Sequence, residues 1–297
     1  MELNENAEAD TSQVTDRRGS GGGLGGIPIP IGGLGGGIGG LVVLALLVIG
    51  GFVGGNTLFG GEGDNGNIEE SCSTANPDRL KNADCRNLLY VNSIQAYWEK
   101  ALPESFGEQY QQADTNFFSQ AVSTGCGNAD SGVGPFYCPQ DDQVYIDLTF
   151  YNELANRFGA DGEFAQPYVL AHEYGHHVQD LLGTEADVRR QMERDPGNQN
   201  ALSVKLELQA DCYAGVWAKH ATETTSRSGK PIFKSITQAD IDQALDAAAA
   251  IGDDAIQKKM GGSVDESKFT HGSSAQRKQW FTTGYQSGDP KSCNTFA

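Results

Sequence analysis

No cysteine precedes residue 72, no two cysteines are spaced as CxxC, and no charged residue lies between Arg18 and Glu62. Without a CxxC pair, a cysteine-built zinc site of the usual spacing is not expected. Without charge, and with glycine at most positions from 19 to 40, the early chain cannot bury a core; residues 1–37 read as a disordered, glycine-rich tail. Basic residues are also scarce, 21 Lys+Arg against 39 Asp+Glu, for a net charge of −18. Five acids and two arginines in the first eighteen residues put −3 there and leave −15 on the rest. That balance argues against nucleic acid or an anionic membrane surface as the main partner and is typical of a surface kept soluble by charge.

What replaces charge in this stretch is an apolar run, IGGLVVLALLVIGGFVGG from Ile38 to Gly55, about the length of one membrane span. Arg17 and Arg18 precede it, and Glu62, Asp64, Glu69 and Glu70 follow. The positive-inside rule then predicts a single transmembrane helix over 38–60, a cytoplasmic N-terminus and an extracytoplasmic domain over 61–297. A cleaved signal peptide fits less well, because the lead is long and no A-x-A site follows. All six cysteines lie after the run, which agrees with an oxidising compartment. The simplest pairing is Cys72–Cys85, Cys126–Cys138 and Cys212–Cys293.

Histidine is scarce too, yet three of the five form part of one string, HEYGHH, at His172–His177. Its first five residues are HExxH. Two imidazoles four apart on a helix lie one turn apart on one face and can share a metal ion, and the glutamate between them can take a proton from water at that metal. Pro167 is placed to open the helix and Gly183 to end it. Leu170, Tyr174 and Leu181 fall opposite the imidazoles, so the helix is expected to be buried. Gly175 in mid-helix implies close approach of another element. His177 points about 120° away from His172 and His176 and reads as a packed or surface residue.

A catalytic zinc needs a third protein ligand and an open position. The extension HExxHxxGxxH is missing, since Gln179 and Leu182 stand at its Gly and His positions. His220 and His271 are the other histidines. Glu207, with Asp211 one turn later in LSVKLELQADCYAGVWAKH (202–220), suits a different arrangement, in which a glutamate on the following helix ligates and the acid four residues on orients an imidazole. Further helices are expected over 86–102, 238–251 (Thr237 and Asp240 as a capping pair) and 274–286. Val144, Ile146 and Leu148 alternate with Tyr145, Asp147 and Thr149 as in a half-buried strand, preceded by the short β-prone run FYC. The fold class expected is α+β and zincin-like: mostly helical, with a small sheet beside the HExxH helix. An edge strand there could pair with an extended peptide or simply pack on the helix.

Together the segments TGCGNADSGVGPFYCPQDDQVYIDLTF, FAQPYVLAHEYGHHVQ, LSVKLELQADCYAGVWA, AAAAIGDDAIQ, FTHGSSAQRKQWFTTGY and CNTF resemble the bacterial neutral zinc metallopeptidases, membrane-anchored proteins with an HExxH helix. The resemblance covers Ser123 to Phe296. It implies a Zn2+ peptidase acting on a peptide or protein, with Glu207 as third ligand. The expected site is then His172, His176 and Glu207 on the metal, Asp211 behind them, and Glu173 as general base. His271 and Tyr145 are candidates for the oxyanion donor, His271 being equally placed to cap the helix that starts near Ser274. A zinc amidase or other envelope hydrolase, or a non-catalytic zinc-binding module, are the alternatives. Oligomeric state is not readable from the sequence.

Overall fold

In the computed structural model, residues 1–18 and 68–297 are described. The chain opens with β1 (Glu2–Leu3) and β2 (Val14–Asp16), and resumes with α1 (Ile68–Ser71) and the long α2 (Ala83–Phe106). Next come β3 (Asp114–Phe117), β4 (Ala121–Thr124), β5 (Gly127–Asp130), β6 (Phe136–Cys138) and β7 (Gln143–Ile146). The helices α3 (Phe150–Phe158), α4 (Ala165–Leu181), α5 (Thr184–Arg194) and α6 (Gln199–His220) follow. Strand β8 (Phe233–Ser235) and helices α7 (Gln238–Ala250), α8 (Asp253–Lys259) and α9 (Ser274–Ser287) complete the elements used below. The domain is mostly helical with small sheets, as the patterning predicts.

Helix α4 carries HEYGHH. Pro167 lies in its first turn, where no intrahelical donor is lost, and Gly183 just beyond its end sits at φ +70°, a left-handed backbone that glycine adopts without strain. Its whole middle, from Pro167 to Gln179, is buried. The close approach implied by Gly175 is the crossing with α6: a Cβ there would lie 2.9 Å from Ala210 Cα. On its other face α6 meets α9 as tightly, with Gly215 against the carbonyl of Phe281 and Gly284 against that of Cys212. The capping pair of α7 is present as a reciprocal capping box between Thr237 and Asp240. Helix α9 is capped by Ser273, which bonds Gln276, so His271 does not cap it.

The principal sheet has the order β2-β3-β7-β6, with β6 antiparallel to β7 and β2 and β3 parallel. Strand β7 departs from the half-buried expectation. Val144 and Ile146 join the main core with α4, whereas Tyr145 is also buried, on the opposite face, among Phe118, Val122, Phe136 and Cys138. The β4–β5 hairpin and the Cys126–Cys138 disulfide build that second cluster. All three expected disulfides form, the third tying Cys212, next to Asp211, to Cys293.

Residues 1–18 are a correction. They are not a disordered tail but part of the fold. Strand β1 pairs with β8, and β2 is the edge strand of the principal sheet, in register with β3. The Arg79 guanidinium is buried and donates to the carbonyls of Asn4, Glu5, Ala7 and Cys72. Low sequence hydrophobicity hid this segment because its binding is mainly through backbone polar groups, which composition does not register. The remainder of the expected tail and the span at 38–60 lie outside the described residues; among the described residues no helix is long and apolar enough to cross a membrane.

Two outcomes follow. Gly215→Ala should lower the urea midpoint by the equivalent of roughly 1–3 kcal/mol, because the added methyl group meets Phe281 backbone that cannot step aside; an unchanged midpoint would mean that α6 and α9 do not cross this closely. The folded chain, denatured without reductant, should react with no thiol reagent, since all six cysteines are paired.

Candidate metal centre

The α4–α6 crossing places Gly175, between the two imidazoles of HExxH, on Ala210, between Glu207 and Asp211. Two small residues in contact let the flanking side chains converge. His172 Nε2 lies 3.2 Å from Glu207 Oε2, and His176 Nε2 lies 3.5 Å from Glu207 Oε1. The ligand atoms of His172, His176 and Glu207 all fall within 4.8 Å of one another, and each residue is buried. His176 Nε2, Glu207 Oε1 and Glu173 Oε1 are buried without a hydrogen-bond partner. Orphaned buried polar atoms are costly, and two of these three belong to the His172, His176, Glu207 group that shares one space. A cation bound by two imidazoles and a carboxylate fits that donor set, and it is the set of a catalytic rather than a closed structural zinc site.

The second nitrogen of each imidazole is held. His172 Nδ1 pairs with Asp211 Oδ1 at 2.9 Å, as expected for the acid one turn after Glu207. His176 Nδ1 pairs with Gln179 Oε1 at 2.9 Å, and Gln179 is fixed in turn by donating to Leu206 O and Gln209 Oε1. With Nδ1–H donating, a neutral imidazole at either position turns its Nε2 lone pair toward Glu207. Gln179 was not assigned a role from the sequence, although its i+3 spacing from His176 was a usable signal. Asp211 also accepts from Tyr168 Oη (2.7 Å) and from Arg277 through Nε (2.7 Å) and Nη2 (2.9 Å). Arg277 and Asp211 are both fully buried. No local signal joins these two, which are 66 positions apart and meet only because α9 packs on α6.

The remaining candidates separate clearly. His177 is packed, between Tyr137 Oη and Gln111 O. His220 pairs with Glu223 and Gly288 O at the far end of α6, away from the cluster. Tyr145 lies on the sheet face turned away from α4 and bonds Asp141 and Gln143, which removes it as an oxyanion donor. His271 is buried beside the cluster, near enough to bear on the charge of Glu207. Its Nδ1 meets Asp253 Oδ1 at 3.1 Å, while Asp253 Oδ2 accepts the backbone N–H groups of residues 270–272. Gly272, at φ +92°, packs on Val204 and Leu208, the α6 residues flanking Glu207. The backbone N–H of Tyr137 lies near enough to favour the charged form of Glu173, so strand β6 runs past this carboxylate.

Burial and charge set the protonation of this group. Burial pushes Glu173 up to about 8. Burial opposes charge on His172, but Asp211 and Glu207 outweigh it and raise the imidazole to about 9. His176 is lowered to about 4 by burial. Burial would raise Glu207 as well, but the two imidazoles bring it down to about 2; Asp211 is held well below the usual carboxylate range against its own burial by Arg277 and His172.

Comparison with known proteins agrees with this geometry. The sequence model of a family described as "Putative neutral zinc metallopeptidase" matches residues 1–296. The chain is 40% identical over 294 residues to the uncharacterized protein YpfJ of Escherichia coli (strain K12), covering 97% of this chain and 96% of that one. It is 46% identical over 222 residues to the uncharacterized protein Rv2575 of Mycobacterium tuberculosis (strain ATCC 25618 / H37Rv), covering 74% and 73% of the two. No solved structure shows a significant match. The chain, with a buried His–His–Glu group on two crossed helices, belongs to the neutral zinc metallopeptidase family.

Proposed function

We propose that this protein is a zincin-type peptidase that hydrolyses peptide bonds of extended substrates on the outer side of a membrane. The carrying observation is that His172, His176 and Glu207 bring their ligand atoms within 4.8 Å of one another in the interior, where His176 Nε2, Glu207 Oε1 and the nearby Glu173 Oε1 have no hydrogen-bond partner. His172, His176 and Glu207 would hold Zn2+ there, and the ion would supply Lewis acidity toward a water and a carbonyl. Glu173 takes the proton of the attacking water and delivers it to the amine nitrogen that leaves. The nearby Tyr137 N–H favours its charged form. Asp211 and Gln179 hold the imidazole tautomers. Strand β6, the last strand of the sheet, runs beside Glu173, and pairing of an extended peptide along it requires its buried residues Phe136, Tyr137 and Cys138 to open. His271, oriented by Asp253 through Nδ1, offers Nε2–H to the developing oxyanion. The three disulfides support an oxidising compartment.

Glu173→Gln should keep one zinc per chain and lose about 10²–10⁴-fold in peptide hydrolysis. Glu207→Ala should lose the zinc itself, and His271→Ala should keep it while kcat falls about 10²-fold. Zinc analysis with digestion of a peptide library separates these outcomes; cleavage surviving in Glu173→Gln, or full zinc in Glu207→Ala, overturns the assignment.

The protonation states give a second test. Without a cation, His172 (about 9) and Glu173 (about 8) both carry a proton at pH 7. Zinc must displace the first and, by its charge, drives off the second, so loading at pH 7 releases about two protons per ion. Because both pKa values lie above 7, apparent affinity rises with pH, roughly a hundredfold per unit below pH 8, and levels off above pH 9. Calorimetric titration in buffers of different ionisation heat reads the proton count; a count of zero at pH 7 contradicts the cluster's protonation.

A further inference from the structure

The apolar stretch and the positive-inside rule place the N-terminus and the metal-bearing domain on opposite sides of a membrane. The packing of residues 1–18 does not allow this. From these contacts we propose that residues 1–18 lie on the same side of the membrane as the metal centre, folded into its domain.

The two flanks of the uncharged stretch touch each other. Arg18 forms a two-pronged ion pair with Asp84, Nη1–Oδ1 at 3.0 Å and Nη2–Oδ2 at 2.6 Å. Asp84 adjoins Cys85, whose disulfide to Cys72 fixes the chain just after the stretch. A single crossing between residues 18 and 68 would hold these groups about 30 Å apart, across hydrocarbon. Arg18 is only one of the attachments. Asn92 on α2 accepts the N–H of Asp10 at 2.7 Å and donates to its carbonyl, and Arg227 pairs with the Asp10 carboxylate at 2.5 Å. Strand β2 adds a parallel rung to β3 at each of its three residues.

The domain also needs the segment. Arg79 is 2% exposed, and three of its four described acceptors are carbonyls of residues 4, 5 and 7. Removing them would leave a buried guanidinium largely unpaired, a far more expensive state than an empty surface groove. The topology signal read from the sequence has the same origin. Arg17 and Arg18 look like a cytoplasmic anchor, but Arg18 is neutralised by Asp16 and Asp84, and Arg17 lies over the Tyr145 ring and bonds Gln143.

The proposal does not depend on hydrolysis, so its failure is separate from that of the peptidase reading. Glu8 and Glu193 are exposed, one in the N-terminal segment and one in the domain. Full-length chains carrying Glu8→Cys or Glu193→Cys are expressed in bacteria, and spheroplasts are treated with a membrane-impermeant maleimide before and after permeabilisation. Labelling of each variant in the detergent-solubilised, zinc-loaded protein confirms that the new thiol is reachable in the folded state. Both positions should label to the same extent before permeabilisation. Labelling of both only afterwards would keep the shared side and overturn the outer location given under the proposed function. Labelling of Glu193→Cys before and Glu8→Cys only after permeabilisation overturns the proposal.

Discussion

The contact between Gly175 and Ala210 governs this molecule. Helices cross closely only where side chains are small at the crossing point, and here the small residues are flanked by the reactive ones. His172 and His176 lie on either side of Gly175, and Glu207 and Asp211 on either side of Ala210. Shortening the helix separation therefore does two things together: it packs the core and drives two imidazoles onto two carboxylates. The second crossing, Gly215 and Gly284 between α6 and α9, brings Arg277 to the back of Asp211 in the same manner.

Such convergence concentrates charge in a dry interior. With both imidazoles neutral, Glu173, Glu207 and Asp211 against Arg277 sum to −2, a balance that a divalent cation cancels. Without that cation, protons on His172 and Glu173 cancel it instead. Either way the buried group ends near neutrality, as the cost of an uncompensated interior charge requires. The strong pairing of Asp211 with Arg277 keeps Asp211 an acceptor for His172 in both conditions, so the metal-facing nitrogen stays preset.

Around this centre the sheet and the N-terminal segment serve different ends. Strand β6 passes Glu173 at one end of the sheet with its three residues buried, while β2, from the chain's first residues, forms the other edge beside β3.

Much of the site could be read directly from the chain. HExxH needs nothing but helical periodicity to bring His172 and His176 together, Glu207 and Asp211 share a face for the same reason, and the local disulfides follow from short loops. Helix limits were legible because Pro167, Gly183, Thr237 and Asp240 act within one turn. Contacts between distant residues were not legible. Arg277 on Asp211, Asp253 on His271 and the N-terminal segment on Arg79 join groups far apart in sequence through side-chain and backbone polar bonds, which carry no periodicity. Local geometry thus settled which residues could ligate and which could act as base. Long-range packing settled that Glu207 rather than His220 or His271 lies with His172 and His176, that Tyr145 faces away, and that the first eighteen residues pack into the domain, because only the folded chain brings those partners within bonding distance.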